Sequence, residues 1–265
     1  MKKLLIGFLV TYTMLLGGLY FSQDFLIFRP APLPEGFEFH FDQPFEEGFI
    51  EAEDGTRIST LFFPSEGPSK GLVINNHGNR RNIARWGRSA DQFTRHGYDV
   101  LFYDYRGFGK TRGVPSEEKL LSDAELIYRT MVKKYPEDSI ILYGRSLGTG
   151  IATYLASRHR PKLLLLESPY FHIADVGQMH VPIFPYDLLV KHPFRTDNWI
   201  EEVYCKVHIF HGTEDPLIPY EASLKLVQKL KKPKEKVLTT LEGGTHRGLA
   251  RFDLYQEKMA ELLAQ

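Results

Sequence analysis

The chain holds a single cysteine, Cys205, in 265 residues. An internal disulfide is therefore excluded, although exported proteins also manage without one, so compartment stays open. No charge of either sign is in excess: 33 Lys and Arg balance 33 Asp and Glu. A nucleic-acid binder would carry a surplus of basic residues, and that class is set aside. Neither CxxC nor HExxH occurs, so no metal site is expected and no cofactor is called for. Internal repeats and low-complexity tracts are lacking as well. What remains is ordinary folded composition, 43% hydrophobic and 25% charged, long enough for one large α/β domain with a sizeable core.

Long charge-free runs are also scarce, with one exception. After Lys2 and Lys3, the 18 residues from Leu4 to Phe21 carry no charge. That is near the lower limit for a helix crossing the hydrocarbon layer. A cleaved signal peptide would have a shorter apolar run, about 7–15 residues, ending at small residues. Here Gly17, Gly18 and Ser22 are interrupted by Leu19, Tyr20 and Phe21. The favoured reading is an uncleaved single-pass membrane anchor over residues 1–24, followed by a domain over residues 25–265. Lys2 and Lys3 would hold the N-terminus in the cytoplasm and leave the domain outside. Secretion after signal cleavage is the alternative, and a helix buried in the fold is the third option. The stretch FLIFRP, after Asp24, is expected at the membrane interface or packed on the domain.

FEEGFIEAEDGTRISTLFFP reads as two alternating strands joined by a turn at Asp54-Gly55. Beyond it, apolar runs at 71–77, 98–105, 139–144, 162–168, 206–212 and 236–243 alternate with helix-like stretches near 82–96, 116–135, 147–159, 220–232 and 252–264. Nearly continuous hydrophobicity suits strands buried on both faces. Alternation of β and α elements predicts a mostly parallel central sheet with right-handed crossovers, flanked by helices. The connection over about 169–204 is too long for a structureless loop and is read as a small lid insertion with helices, YDLLVKH among them.

Gly144-Arg145-Ser146-Leu147-Gly148 fits G-x-S-x-G and falls where a strand ends and a helix begins. A nucleophile on such a corner projects above the sheet, and the following helix N-terminus offers free N–H groups. A serine N-cap with turn glycines is the plainer reading, of similar weight for this motif alone. A serine hydroxyl needs a base, and the base an orienting acid. HIFHGTEDPLIP presents Asp215 and TLEGGTHRGL presents His246, each after a strand. Residue type, strand-end position and the order Ser146, Asp215, His246 together favour a catalytic triad. Glu214 is the competing acid. In NNHGNRRN, after the first parallel strand, the amide of Asn79 would face that of Leu147 as a second oxyanion donor. His77 is read as shaping the turn rather than as a base.

NNHGN, DYRGFGKT, GRSLGTG, HGTEDPLIP and GGTHRGL, in this order, resemble the α/β-hydrolase superfamily, and most of all its membrane-anchored serine hydrolases, which include lysophospholipases and depalmitoylases. The resemblance covers about residues 25–265. It implies an α/β-hydrolase fold, Ser146 as nucleophile, Asp215 as acid, His246 as base, and Asn79 and Leu147 as oxyanion amides. It also implies that Asp104, Arg106 and Gly107 brace the loop beside the site. The lid is rich in apolar and aromatic residues, among them Tyr170, Phe171, Ile183, Phe184, Leu188 and Trp199. These would suit an acyl chain, or would serve equally to pack the insertion on the domain. The expected activity is cleavage of small-molecule acyl esters, with lipid-derived esters among them where the anchor delivers the substrate. Thioester or amide cleavage, and a hydrolase-fold binder without turnover, are the alternatives.

Overall fold

A computed structural model describes residues 1–231 and 237–265. In chain order the elements are α1 (Lys2–Phe28), β1 (Glu46–Glu51), β2 (Arg57–Phe63), β3 (Leu72–Asn76), α2 (Ile83–Trp86), α3 (Asp91–Thr94), β4 (Asp99–Tyr103), α4 (Glu117–Met131), β5 (Ile140–Arg145) and α5 (Leu147–Arg158). There follow β6 (Leu163–Glu167), α6 (Ile173–His180), α7 (Tyr186–Leu189), α8 (Thr196–Trp199), β7 (Lys206–Gly212), α9 (Tyr220–Lys229), β8 (Leu238–Leu241) and α10 (Asp253–Ala264). The expected helix-like stretch to residue 232 and the apolar run from residue 236 each have their outer end outside the described residues.

The eight strands form one sheet in the order β1-β2-β4-β3-β5-β6-β7-β8. β1 and β2 pair antiparallel as a hairpin, β2 pairs antiparallel with β4, and all later pairings are parallel. Side-chain alternation divides the core into two layers. Leu72, Ile74, Ile140, Leu142, Leu164 and Leu166 point to the layer shared with α4, α5 and α9. Val73, Ile141, Tyr143, Leu163 and Leu165 point to the opposite layer, shared with α3 and α10. Both faces are dry, which is why these strands read as unbroken apolar runs.

The chain passes from β3 outward to β4 and returns to β5 on the other side of β3. Loops at the carboxyl ends of β3 and β5 thus diverge, leaving a crevice at the switch point. The expected helix near 82–96 is broken into α2, a 3-10 turn at Gly87–Ser89 and α3. Gly87 sits where a Cβ would meet the Phe41 ring at 2.8 Å, so this stretch is held by packing rather than by helical pattern.

The apolar N-terminus forms a helix that runs four residues past the expected anchor boundary at 24. At about 1.5 Å per residue α1 is some 40 Å long. Its first turns are exposed, whereas Gln23 and Phe28 are buried against the domain. The lid contains α6, α7 and α8; the expected YDLLVKH helix is limited to Tyr186–Leu189. Lid and α1 are joined along their lengths. Tyr12 donates to the Ile183 carbonyl at 2.9 Å and stacks on Phe184. Gln23 donates to the Leu189 carbonyl at 2.8 Å and accepts from the Lys191 amide at 2.9 Å. Asp24 lies 2.9 Å from His192, and Phe28 packs edge-on against His192 and Phe194.

Candidate active site

The corner after β5 is tight for identifiable reasons. Ser146 has φ 51 and ψ −120, a strained conformation for a residue with a side chain. A Cβ on Gly144 would meet the Gly148 carbonyl oxygen at 2.5 Å, and one on Gly148 would meet the Asn76 carbonyl oxygen at 1.9 Å. Only glycine lets α5 approach β3 and β5 this closely. The Ser146 amide donates to the Glu167 carbonyl at 3.0 Å, which ties the corner to β6.

Three sequence-predicted side chains meet above this corner. His246 Nε2 is 3.0 Å from Ser146 Oγ, and His246 Nδ1 is 2.7 Å from Asp215 Oδ2. Asp215 follows β7 and His246 follows β8, so adjacent strand ends deliver both. Asp215 Oδ1 accepts from the amides of Leu217 and Ile218 at 2.9 and 3.0 Å. His211, buried in β7, places Nε2 3.3 Å from Asp215 Oδ2. Burial pushes the Asp215 carboxyl upward, but hydrogen bonds from His211, His246 and the Ile218 amide outweigh it and hold the group well below the usual carboxylate range. A carboxylate can only accept, so His246 Nδ1 donates to it and Nε2 is left to accept the Ser146 proton. Glu214 is exposed; its amide donates to the Gly244 carbonyl.

Leu147 opens α5, and its amide has no intrahelical acceptor. It lines the same cavity as Asn79 and Ser146. The Asn79 side chain donates to the Ile27 carbonyl at 2.7 Å, capping the end of α1. Tyr105 donates to the His77 carbonyl at 2.8 Å and Tyr103 donates to Asn76 at 2.6 Å, so two buried phenols brace the loop after β3. The His77 ring is buried, with Nδ1 2.7 Å from the Gly78 carbonyl and Nε2 3.6 Å from Asp104, away from Ser146. Arg106 pairs with Asp123 at 2.8 Å and Asp54 at 2.6 Å, binding the hairpin turn to α4.

One supporting network was not visible in the sequence. Arg145 pairs with the buried Glu167 at 3.0 Å and donates to the His246 carbonyl at 3.2 Å. Glu167 also accepts from Tyr143 at 2.5 Å and Tyr255 at 3.0 Å. Arg145 and Glu167 face each other in the β5–β6 register. The loop bearing His246 is therefore held from below by a charge pair. The signal available was the x position of G-x-S-x-G and a glutamate ending the next strand.

Ser146, Leu147, Asn79, His246, Arg145 and Glu167 line a cavity of about 980 Å³. Leu19, Leu26 and Ile27 of α1, Ile173 and Val176 of α6, and Leu189 of α7 form its apolar wall. The apolar lid residues thus divide: some face the cavity, while Phe194 is fully buried in the core.

A family model described as serine aminopeptidase, S33, matches residues 67–193. An uncharacterised protein of Mycobacterium tuberculosis strain H37Rv is 31% identical over 192 residues, 71% of this chain and 68% of its own. The lysophosphatidylserine lipase ABHD12 of Danio rerio is 30% identical over 152 residues, 49% of this chain and 39% of its own. Among solved structures, the Pyrococcus furiosus esterase Pf2001 superposes with a TM-score of 0.67 at 19% identity, over 88% of this chain and 96% of the esterase.

Proposed function

The chain belongs to the α/β-hydrolase superfamily, and from that premise we propose that it hydrolyses carboxylic acyl esters through an acyl-enzyme on Ser146. The observation that carries this reading is the unbroken hydrogen-bonded line from Ser146 through His246 to Asp215. Ser146 Oγ attacks the ester carbonyl carbon and its proton passes to His246 Nε2. Asp215, held anionic, keeps the imidazole in the accepting tautomer and stabilises the imidazolium that forms. The amides of Leu147 and Asn79 receive the developing oxyanion. Collapse breaks the C–O bond to the alcohol, which leaves with the proton from His246. Water then gives its proton to His246 and attacks the acyl-enzyme, and the carboxylic acid departs as Ser146 recovers its proton.

Esters are preferred to aminopeptides for an electrostatic reason. An aminopeptidase must hold a cationic amino terminus. Glu167 is the sole carboxylate among the described residues lining the cavity, and it is engaged by Arg145, Tyr143 and Tyr255. The apolar wall suits an acyl chain, and the name of the zebrafish relative lends weight to a lipid ester. We assign α1 to a membrane, with the catalytic domain outside the cytoplasm. Leu188 at 85% and Ile183 at 61% exposure extend the apolar surface of α1 onto the lid. Such a surface is costly in water and stable in a bilayer.

The test is covalent labelling by a fluorophosphonate together with turnover of a panel of acyl esters, thioesters and aminoacyl amides. Labelling and ester turnover are expected, and Ser146→Ala abolishes both. Folded protein that neither labels nor turns over any substrate is a binding protein, and the proposal fails.

A further inference from the structure

Besides the apolar wall, the same cavity is lined by Arg29 after α1, Arg80, Arg81 and Arg85 after β3, and Arg247 and Arg251 after β8. Arg88 adds another cation three residues beyond Arg85. None of these forms an ion pair with a described residue, whereas Arg106, Arg129, Arg145 and Arg195 all do. The group is crowded: the Arg80 guanidinium is held below its ordinary range, first by the positive charge of Arg29, then by burial, Arg247 and Arg81. Two of its members adopt left-handed backbone, Arg29 at φ 48 and Arg81 at φ 68. Apart from the half-buried Arg29 these side chains are exposed, so solvent screens their mutual repulsion, and together they present a positive face at the cavity that would attract an anion. Glu167 cannot supply that anion, because it is already shared by Arg145 and two tyrosines.

Resting on the ester hydrolysis proposed above, we propose that this arginine wall is a subsite for a phosphate carried on the alcohol half of a single-chain acyl ester. The chain lies along α1, α6 and α7, the carbonyl reaches Ser146, and the phosphate meets the guanidinium groups. Planar guanidinium forks match phosphate oxygens two at a time, and several converging forks favour a phosphate over a neutral hydroxyl headgroup. The phosphate is uninvolved in bond breaking; it leaves with the alcohol.

The experiment uses the full chain in neutral detergent with two esters of the same acyl chain, 1-palmitoylglycerol and 1-palmitoylglycerol 3-phosphate. Wild type is expected to favour the phosphate ester. The double variant Arg80→Glu/Arg247→Glu lowers the ratio of kcat/KM for phosphate over neutral ester by about 10- to 100-fold, chiefly through KM. Arg57→Glu/Arg158→Glu, on β2 and at the end of α5 and outside the cavity lining, makes the same change in charge and leaves the ratio in place. An unmoved ratio, or equal losses on both esters, overturns the subsite. Repeating the assay in vesicles containing phosphatidylglycerol separates the other source of phosphate. If the double variant weakens turnover of both esters alike, and only on vesicles, the arginines serve the membrane surface and the proposal is wrong. If wild type hydrolyses neither ester, the hydrolase reading is decided by fluorophosphonate labelling and the substrate panel. The subsite is then judged by calorimetric binding of the ether 1-hexadecylglycerol 3-phosphate to Ser146→Ala. About tenfold weaker binding with the two Arg→Glu changes added supports it, and equal binding sinks it.

Discussion

Replacing Asp215 by Asn separates shape from charge at the far end of the hydrogen-bonded line. The amide oxygen can still accept from the Leu217 and Ile218 amides, so the loop after β7 keeps its frame. The atom facing His246 Nδ1, now 2.7 Å away, becomes an NH2 group. It donates, so Nδ1 must accept and Nε2 carries the proton. The imidazole then presents a donor to Ser146 Oγ and cannot take its proton. For a Ser-His-Asp arrangement this change costs about 10⁴-fold in kcat, or about 5.4 kcal/mol at 1.36 kcal/mol per decade. Stability changes too. The Asp215 carboxyl titrates below its unfolded value, so its contribution is fully present above about pH 4 and is lost as pH falls through the folded value. Losing charge-assisted hydrogen bonds costs about 1.5–3 kcal/mol at neutral pH, which lowers Tm by about 3–12 °C for a chain of this size. The assays are turnover of p-nitrophenyl butyrate and thermal melts from pH 3 to 8. The Tm gap should be constant from pH 8 to about 5 and narrow progressively below about 4. Glu214→Gln, at an exposed carboxylate, is the comparator and should change kcat by less than about twofold. If Asp215→Asn keeps a tenth of the activity, or Glu214→Gln matches its loss, the tautomer reasoning is wrong.

Gly148→Ala drives a Cβ into the Asn76 carbonyl and moves α5 against the loop after β3, so both amides assigned to the oxyanion are displaced. Turnover should fall by about 100-fold or more, with about 1–3 kcal/mol of lost stability, read by steady-state kinetics and thermal unfolding. Arg145→Met leaves the Glu167 carboxylate buried without its cation and frees the His246 carbonyl; a loss of about 3–5 kcal/mol is expected in denaturant unfolding, together with reduced kcat. Gln23→Ala removes the two hydrogen bonds that its side chain makes with Leu189 at the end of α7 and with Lys191 beyond it. It should raise KM for a palmitoyl ester more than for a butyryl ester and speed proteolysis of the lid; equal effects on both esters would mean that α1 does not wall the acyl site.

The sheet was legible because its strands are dry on both faces. Runs such as Leu163 to Glu167 have no polar face to obscure them, and each expected run among the described residues contains a strand. The segment near 82–96 misled for the opposite reason. Its apolar residues are spaced like a helix, yet Ile83 and Phe93 pack with Phe41 and Phe63 around Gly87, and the backbone follows that packing through three short pieces. The expected anchor ends at residue 24, which is Asp24. In the fold its charge is directed at His192 and Lys191, so the helix continues to Phe28.

The same contrast separates the two halves of the cavity. Ser146, Asp215 and His246 each occupy the first few positions beyond a strand, and parallel neighbours in one sheet bring such positions to one rim whatever the intervening helices do. Their convergence follows from local pattern plus topology, both of which a sequence displays. The substrate wall has no such shortcut. Leu26 and Ile27 reach the cavity only because Gln23, Asp24 and Phe28 dock α1 on lid residues some 170 positions away, and Asn79 caps the same helix. Arg29 joins Arg80 and Arg247, which follow β3 and β8, only through that docking. A helix read as a tether therefore closes one side of the site. Under the proposed mechanism, any condition that detaches α1, whether a detergent, a truncation or a substitution at Gln23, should alter which esters are accepted before it alters the attack assigned to Ser146.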